Sequence, residues 1–300
     1  MSVIQCENLT KSYSKIKAID HLSFEIEENK ITGLIGRNGS GKTTLLKMIA
    51  GYLKPTSGEL KVFSERPFNS LDVSANSIFL DDTLTFPDSL SLSDILTEVA
   101  PFYAHWNSSL ANGLFDYYSF NPKQPHSNLS KGSKSTFNSI LGIASHSPLT
   151  IFDEPTTGMD SAVRKDFYRA LLKDYLEYPR TIILSSHLLS ELEEILEDIL
   201  LINQGTKLLH LPALELKELA VGLRGNAQDV LSFAEGKEII YREEFVKGSL
   251  YVVIRRKLIQ PQFEQIRQTG IEVLSVSTDD LCVYLTAKTK GGINDVFNKG

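Results

Sequence analysis

The spacing of hydrophobic and polar positions changes along the chain, and each change predicts a different kind of element. Residues 22–26 alternate apolar and polar side chains, which predicts a half-buried antiparallel strand among two or three strands over 2–28. Continuous apolar runs at 31–35, 149–154 and 181–186 predict strands that are buried on both faces. Helical runs separate these strands, and such alternation predicts an α/β fold with a parallel sheet wrapped by helices.

The region 88–146 differs from its surroundings because its apolar residues recur at three- and four-residue steps, which predicts a helical subdomain. We expect Ser93-Asp94 to cap its first helix, and a later helix to open at 129–134 and run to about Ser145. The apolar stripe is interpreted as the core of this subdomain, and an exposed groove for a partner is the alternative. The stripe comprises Phe102, Tyr103, Trp106, Leu110, Leu114 and Phe115.

The pattern of predicted elements changes again towards the end of the chain, which predicts two domains. A helix capped by Asp160 or Ser161, and a second helix that ends near Glu197, complete the strand–helix alternation. We therefore place a large domain over 1–220 and a small α+β domain over 225–300. The remaining predicted elements are strands 60–63, 77–80, 199–202 and 206–211 in the first domain, and helix 226–234, strands 237–245 and 249–256, helix 260–269, and strands 271–277 and 281–288 in the second.

Composition narrows the classes of function. The 300 residues carry a net charge of −6, which argues against a broad nucleic-acid-binding face. Cys6 and Cys282 lie at opposite ends of the sequence, so we expect two free thiols in a reducing compartment. No apolar run reaches the roughly 18 residues of a spanning helix, and no signal-peptide pattern is present, so any membrane contact is expected to come through a partner.

The strongest motif joins the first buried strand to a helix. The pattern G-x-x-x-x-G-K-[ST] indicates a phosphate-binding P-loop when it lies between a strand and a helix, as it does here. The alternative is a glycine-rich turn that only caps the helix. Glycines let backbone N–H groups curl around a phosphate, and the helix N-terminus adds partial positive charge. We expect Lys42 to contact the β- and γ-phosphates and Thr43 to bind Mg²⁺. The motif consists of Gly36, Arg37, Asn38, Gly39, Ser40, Gly41, Lys42, Thr43 and Thr44.

Two carboxylates and a histidine follow the next buried strands, at the positions where strand ends line the site of a parallel sheet. Asp153 is expected to hold Mg²⁺ through water, which leaves Glu154 to polarise an attacking water. His187 is expected to hydrogen-bond the γ-phosphate. The alternatives are a plain acidic turn for the carboxylates and a surface imidazole for the histidine. Tyr13, shortly before the P-loop, is either an ordinary strand aromatic or a flat face for an adenine ring, and the nearby nucleotide site favours the second role.

With these motifs in place, residues 3–220 resemble the nucleotide-binding subunit of an ATP-binding cassette (ABC) transporter of the exporter type. The tail, residues 276–285, looks like the end of exporter-type subunits that carry an accessory domain. The segments that match the family are Walker A (Gly36–Thr44), the adenine-stacking aromatic (Tyr13), the signature segment (Leu129-Ser130-x-Gly132), Walker B (Leu149–Glu154), the turn with the D-loop aspartate (Pro155–Asp160) and the switch histidine (Ser186-His187).

The resemblance implies a P-loop NTPase core with an antiparallel β subdomain and a helical subdomain, and it implies ATP and Mg²⁺ as cofactors. Two subunits, identical or different, would sandwich two ATPs head to tail. Ser130 and the N–H of Gly132 would face the γ-phosphate held by the other subunit, with Asp160 among the nucleotide-binding residues. The cycle would move a separate membrane permease docked near residues 79–106. The chain would therefore lie at the cytoplasmic face of the cell membrane, with no nucleic-acid partner.

The sequence departs from the family pattern at two motifs. The family signature is Leu-Ser-Gly-Gly-Gln, and here Lys131 and Ser133 replace its third and fifth residues. The phosphate-facing pair, Ser130 and Gly132, is kept. The glutamine of the Q-loop is absent, and alignment puts Asp82 there. A carboxylate can coordinate Mg²⁺ but cannot donate an amide hydrogen bond, so coupling to the permease is expected to be retuned.

The function expected from these residues is ATP hydrolysis that powers a separate exporter permease. A nucleotide-gated regulatory partner with weak turnover is an alternative that the two departures suggest. A non-transport ABC protein that acts on ribosomes or DNA is another, although such proteins usually have two cassettes in one chain, a long coiled-coil insertion or a basic surface. The cargo is not encoded in this chain, because its path lies in another polypeptide.

Overall fold

A computed structural model describes residues 1–246, 248–255, 266 and 269–287, of which the side chains of 245 and 246 are left out. The chain divides into two compact units, Met1–His210 and Leu211–Gly300. The sequence analysis places its division later, at 220–225.

The elements up to the end of the large sheet form an α/β arrangement with two sheets. The strands of the small sheet are antiparallel in the order β2-β1-β4, and the large sheet has the order β5-β6-β7-β3-β8-β9. In chain order the elements are β1 (Ser2–Tyr13), β2 (Ile16–Glu27), β3 (Ile31–Ile35), α1 (Lys42–Ile49), β4 (Ser57–Val62), α2 (Leu71–Ala75), β5 (Ser77–Leu80), α3 (Leu92–Val99), α4 (Ser108–Tyr117), α5 (Lys131–Ala144), β6 (Leu149–Asp153), α6 (Ser161–Glu177), β7 (Thr181–Ser186), β8 (Asp198–Asn203) and β9 (Thr206–Pro212).

The centre of the large sheet brings the predicted motifs to one edge. All five residues of β3 are buried, as the continuous apolar run predicts, and β3 pairs in parallel with β7 and β8. In register, Gly33 lies opposite Leu184 of β7 and Ile199 of β8. Strand β6 is parallel to β7 on its other side. Parallel strands end at a common edge, so the segments that follow β3, β6 and β7 lie side by side.

An apolar core joins the small antiparallel sheet to the helix behind the phosphate loop. Leu9 of β1 and Ile19 of β2 are fully buried in one cluster with Leu45 and Met48 of α1 and with Ile151 of β6. Because α1 is held by this cluster, the loop that precedes α1 has a fixed support.

The helical subdomain confirms the helices but corrects their details. The cap of α3 is Ser91, not Ser93-Asp94: Asp94 N–H donates to Ser91 Oγ (3.3 Å), and Ser91 N–H donates to Asp94 Oδ2 (3.0 Å) in a capping box. The predicted apolar core is only partly right. Phe115 is buried against Phe137, whereas Phe102 is 76% exposed and the other four stripe residues are half-buried.

The predicted helix that ends near Glu197 is wrong. Residues 187–197 form successive turns, in which Leu192 N–H donates to Leu189 O and Ile195 N–H donates to Leu192 O. The three-residue spacing of apolar side chains is still satisfied, because these three side chains are buried. The apolar spacing therefore predicted correctly which side chains are buried. The backbone that buries them forms short turns and not an α-helix.

The second unit contains a four-stranded antiparallel sheet in the order β11-β12-β10-β13. The predicted strand 281–288 is wrong, because a helix occupies these positions up to Thr286. Ser277 Oγ caps that helix by accepting from Asp280 N–H (3.0 Å), and acidic residues fill its first turn. Predicted helix 260–269 lies largely outside the described residues. The elements are α7 (Ala213–Lys217), β10 (Val221–Asn226), α8 (Ala227–Ala234), β11 (Ile239–Val246), β12 (Ser249–Ile254), β13 (Glu272–Ser275) and α9 (Thr278–Thr286).

Both cysteines are free and buried, which confirms the expected thiols. Burial raises the pKa of Cys6 and of Cys282 to about 12, so both thiols stay neutral near pH 7.

A buried charge network ties three elements of the first unit together. Asp174 of α6 lies 2.8 Å from His146 Nε2 and 2.8 Å from Arg180 Nη2, and all three side chains are almost fully buried. Arg180 also donates to the carbonyl of Ile143 near the end of α5. Burial lowers the pKa of Arg180, so the guanidinium depends on the carboxylate for compensation.

We predict that Asp174→Asn lowers the free energy of unfolding by about 3 kcal/mol, because it leaves the Arg180 charge buried without its partner. Urea denaturation measures the change. Glu177→Gln, on an exposed position of the same helix, is the matched control and should stay within about 0.5 kcal/mol of wild type. Equal midpoints for the two variants would contradict the role of the network.

Candidate functional site

The loop between β3 and α1 follows a backbone path that needs glycine. Gly36 N–H donates to Ser186 O (3.3 Å), which holds the start of the loop against the end of β7. Gly39 and Gly41 have φ of 80° and 106°, in the left-handed region. A Cβ on Gly41 would lie 2.4 Å from the carbonyl oxygen of Ala18 in β2. Gly41 is thus required both by its dihedral angle and by close packing, whereas Gly39 is required by its dihedral angle alone.

A chain of charged contacts crosses the edge of the sheet. Lys42, 5% exposed, donates to Gly36 O (2.7 Å), and its ammonium lies 3.1 Å from Glu154 Oε1. The other carboxylate oxygen of Glu154 lies 2.9 Å from His187 Nδ1. The structure therefore brings together Lys42, Glu154 and His187, the three residues that we expect to take part in catalysis at the γ-phosphate and the attacking water.

Asp153 occupies the last position of β6 and is buried beside the P-loop helix. Burial raises the pKa of its carboxyl group, while hydrogen bonds from Ser185 and Thr43 act in the opposite direction. The predicted metal ligands Asp153 and Thr43 are therefore direct neighbours.

These residues fit a magnesium ion that is bound together with a nucleotide. In the described part of the chain, no group of three or more His, Cys, Asp or Glu is placed to hold a metal alone. Mg²⁺ usually takes one or two protein ligands and completes its shell with phosphate oxygens and water, so Asp153 and Thr43 suffice. The cradle also fits an anion: Ser40 Oγ is buried with no hydrogen-bond partner among the described residues.

Sequence reasoning missed Ser185, which organises both carboxylate positions. Its hydroxyl donates to Asp153 Oδ1 and accepts from the backbone N–H of Glu154 (2.9 Å). Glu154 adopts φ of 49°, so this bond holds a backbone conformation that is uncommon for a side chain with a Cβ. The available signal was a hydroxyl residue near the C-terminal end of a buried strand, directly after three apolar residues.

Tyr13 lies at the end of β1, where it pairs with Ile16 of β2. Ile16 precedes by two residues Ala18, whose carbonyl packs against Gly41. The Tyr13 ring is 47% exposed, and Lys11 Nζ lies 5.3 Å from the ring centroid. An exposed ring near the strand that supports Gly41 is compatible with base stacking, and it is not part of the core.

The predicted signature residues lie at the start of α5 and against the turn after β6. Ser130 is the N-cap of α5, and its Oγ accepts from Ser133 N–H (3.2 Å). A Cβ on Gly132 would lie 2.2 Å from the carbonyl oxygen of Gly158, so only glycine permits this approach. Asp160 caps α6 by accepting from the N–H groups of residues 162 and 163. The Asp160 carboxylate therefore stabilises the N-terminus of α6.

Asp82 and Lys131, two of the three residues that depart from the family pattern, are neighbours. Asp82 Oδ2 lies 3.6 Å from Lys131 Nζ, and both side chains are exposed. Asp82 also lines a cleft of about 240 Å³ together with Asp153 and Glu154. Surface ion pairs of this kind contribute little to the free energy of unfolding. The main effect of the pair is therefore on the position of the Asp82 carboxylate.

The chain is similar to known transport proteins over the part that holds this site. A family model described as ABC transporter matches residues 19–157. The bacitracin transport ATP-binding protein BcrA of Enterococcus faecalis is 30% identical over 208 residues, which cover 68% of this chain and 67% of that protein. BcrA of Bacillus licheniformis is 29% identical over 220 residues, 72% of each chain. A solved dimeric ATP-binding cassette in a post-hydrolysis state with ADP and phosphate has a TM-score of 0.60 at 20% identity, covering 70% of this chain and 98% of that one.

The solved cassette confirms the expected α/β P-loop NTPase fold. No helix within the described residues is long and apolar enough to cross a membrane. The relatives are named as ATP-binding components of transport systems. The phosphate loop, the signature segment and the carboxylates after β6 lie within the segment that the family model matches. This chain belongs to the ABC transporter family, as one of its ATP-binding, ATP-hydrolysing subunits.

Proposed function

We propose that this chain cleaves ATP at the edge of its parallel sheet as one half of a head-to-tail pair of subunits, and so powers a separate membrane permease. The observation that carries the proposal is the Lys42–Glu154–His187 chain of contacts beside a glycine-dependent phosphate loop. Thr43, and Asp153 through water, would hold Mg²⁺, which would supply positive charge to neutralise the phosphates.

The contacts of Glu154 suggest how phosphate binding prepares it. Its carboxylate is shared between the Lys42 ammonium and the His187 imidazole. A triphosphate competes for the Lys42 ammonium, because phosphate oxygens carry more charge than one carboxylate oxygen. Glu154 then retains His187 as its orienting partner and can accept a proton from water. His187 positions Glu154. Because the carboxylate and the γ-phosphate both accept hydrogen bonds, His187 can contact the two together only as the imidazolium, which carries a proton on each ring nitrogen.

The exposed start of α5 supports the head-to-tail arrangement. Ser130 is exposed at the N-terminus of a 14-residue helix, where backbone N–H groups and the helix dipole favour an anion. Within the described chain, no hydrogen bond or ion pair joins residues 129–134 to its own phosphate loop, residues 36–44. We assign this anion site to a nucleotide held by a second subunit, either a second copy or a related chain.

An apolar cleft in the first unit is proposed as the docking place of the permease. The cleft has a volume of about 660 Å³ and is lined by Tyr52, Phe79, Phe86 and Tyr103, with Tyr52 packed edge-on against Phe79. It overlaps the predicted docking region, residues 79–106, through Phe79, Phe86 and Tyr103, and Tyr52 extends it beyond that region. A permease segment seated there would bring the chain to the inner face of the membrane. The second unit is proposed to be an accessory domain.

Glu154→Gln is predicted to slow ATP hydrolysis by at least 100-fold, because the amide cannot accept the proton from water. The phosphate loop remains intact, so the variant should accumulate as an ATP-bound dimer. Phosphate release and size-exclusion chromatography with Mg-ATP measure the two effects. Glu98→Gln, an exposed change in α3, is the control. Turnover equal to wild type would exclude Glu154 as the base, and a purely monomeric variant would count against the dimer.

Lys42→Ala is predicted to weaken ATP binding about 10- to 100-fold, since a charged contact to phosphate is lost. Calorimetry with ATP at a protein concentration that keeps the chain monomeric gives the affinity. Lys61→Ala removes an exposed lysine of β4 and should bind ATP as wild type does. Unchanged affinity in Lys42→Ala would show that the ammonium does not contact the nucleotide.

Tyr52→Ser is predicted to reduce recovery of the permease with this chain, because it removes a 61% exposed ring from the docking cleft. Affinity purification from detergent-solubilised membranes tests this result, and ATP binding by the isolated chain should not change. Tyr178→Ser, which removes a 51% exposed ring from another surface, is the matched control. Loss of the permease only in the control would place docking elsewhere.

A further inference from the structure

The altered signature segment contains a contact between two hydroxyl groups. Ser130 Oγ and Ser133 Oγ lie 2.8 Å apart, and Ser133 N–H donates to Ser130 Oγ at 3.2 Å. Ser133 is the third residue of α5 and stands where the family pattern has glutamine. The short side chain therefore returns to the N-cap residue of its own helix.

The number of hydrogen bonds that a hydroxyl can make limits what this contact allows. A serine hydroxyl has one proton to donate and two lone pairs to accept with. Ser130 Oγ already accepts the Ser133 N–H. If Ser130 donates to Ser133, its only proton is used inside the helix. If Ser133 donates to Ser130, both lone pairs of Ser130 are used and its proton is free for an outside acceptor.

A phosphate oxygen selects the second arrangement. An ionised phosphate oxygen accepts hydrogen bonds and has no proton to donate, so Ser130 must act as the donor towards it. A chain in which Ser133 donates to Ser130, and Ser130 to the phosphate, strengthens each bond by polarisation. The hydrogen bond to the anion is also stronger than one between neutral groups.

We propose that Ser133 is a positioning residue: it donates its hydroxyl proton to Ser130 and thereby directs the Ser130 proton to the γ-phosphate bound by the other subunit. The inference rests on the proposed head-to-tail pair. The hydrogen bond from Ser133 explains how the signature segment can bind the γ-phosphate without the glutamine of the family pattern. Lys131, the other changed residue, is directed towards Asp82 and does not compete for the Ser130 hydroxyl.

The test measures ATP-driven dimerisation separately from ATP binding, with the full chain in the Glu154→Gln background. Sedimentation velocity gives the dimer dissociation constant with Mg-ATP, and calorimetry at low protein concentration gives the ATP affinity of the monomer. Five chains are compared: the background, and the background with Ser133→Ala, Ser133→Thr, Ser130→Ala, or Ser133→Ala together with Ser130→Ala. We expect Ser133→Ala to weaken the dimer about 5- to 10-fold and to leave the ATP affinity of the monomer unchanged.

The double variant provides the sharper result. Ser133 acts only through Ser130, so Ser133→Ala should have no further effect once Ser130→Ala is present. Ser133→Thr keeps the hydroxyl and should restore the dimer. The inference would be overturned if Ser133→Ala raised the dimer dissociation constant by the same factor with and without the Ser130→Ala change. It would also be overturned if Ser130→Ala weakened the dimer and Ser133→Ala did not. A background chain that stays monomeric, or a Ser130→Ala variant that dimerises normally, would instead contradict the proposed function. Thermal unfolding of each variant shows whether the helix cap is intact, and Ser133→Thr separates a folding loss from a hydroxyl loss.

Discussion

The buried ammonium of Lys42 is the interaction on which the arrangement of the site depends. A cation at this depth requires acceptors, and it has them in the carbonyl of Gly36 and the carboxylate of Glu154. These acceptors come from the start of the phosphate loop and from the segment after β6. One positive charge therefore fixes the distance between two motifs that are more than a hundred residues apart in sequence.

Close backbone packing is the second constraint. Glycine lets the phosphate loop rest on the carbonyl of Ala18, and glycine lets the start of α5 rest on the turn at Gly158. At both places a methyl group would lie less than 2.5 Å from an oxygen atom, a distance that real structures do not tolerate. The N-termini of α1 and α5 are therefore supported by neighbouring backbone and not by adaptable side chains. Such support keeps donor groups preorganised.

Much of the fold and most of the site were predictable because they rest on local patterns. The buried strands β3, β6 and β7 appeared as apolar runs, and the glycine pattern located the phosphate loop before α1. The errors share a physical cause. The segment 187–197 buries apolar side chains with helical spacing but uses turns, and α9 combines a run typical of strands with a cap, Ser277, that was overlooked. In each case a short-range hydrogen bond decided between conformations with the same burial.

Contacts between distant segments were outside the reach of the sequence. The sequence pattern marks Ser185 only as a polar residue in a buried strand. It does not show that Ser185 supports both carboxylate positions, or that Lys131 lies beside Asp82. The contact between Gly132 and Gly158 belongs to the same class, and it has a mechanical consequence. No side chain separates these two backbones, so they have no compressible layer between them. A displacement of the turn after β6 towards α5 would therefore push directly on the first turn of α5, and in the proposed pair of subunits that movement would reach the partner.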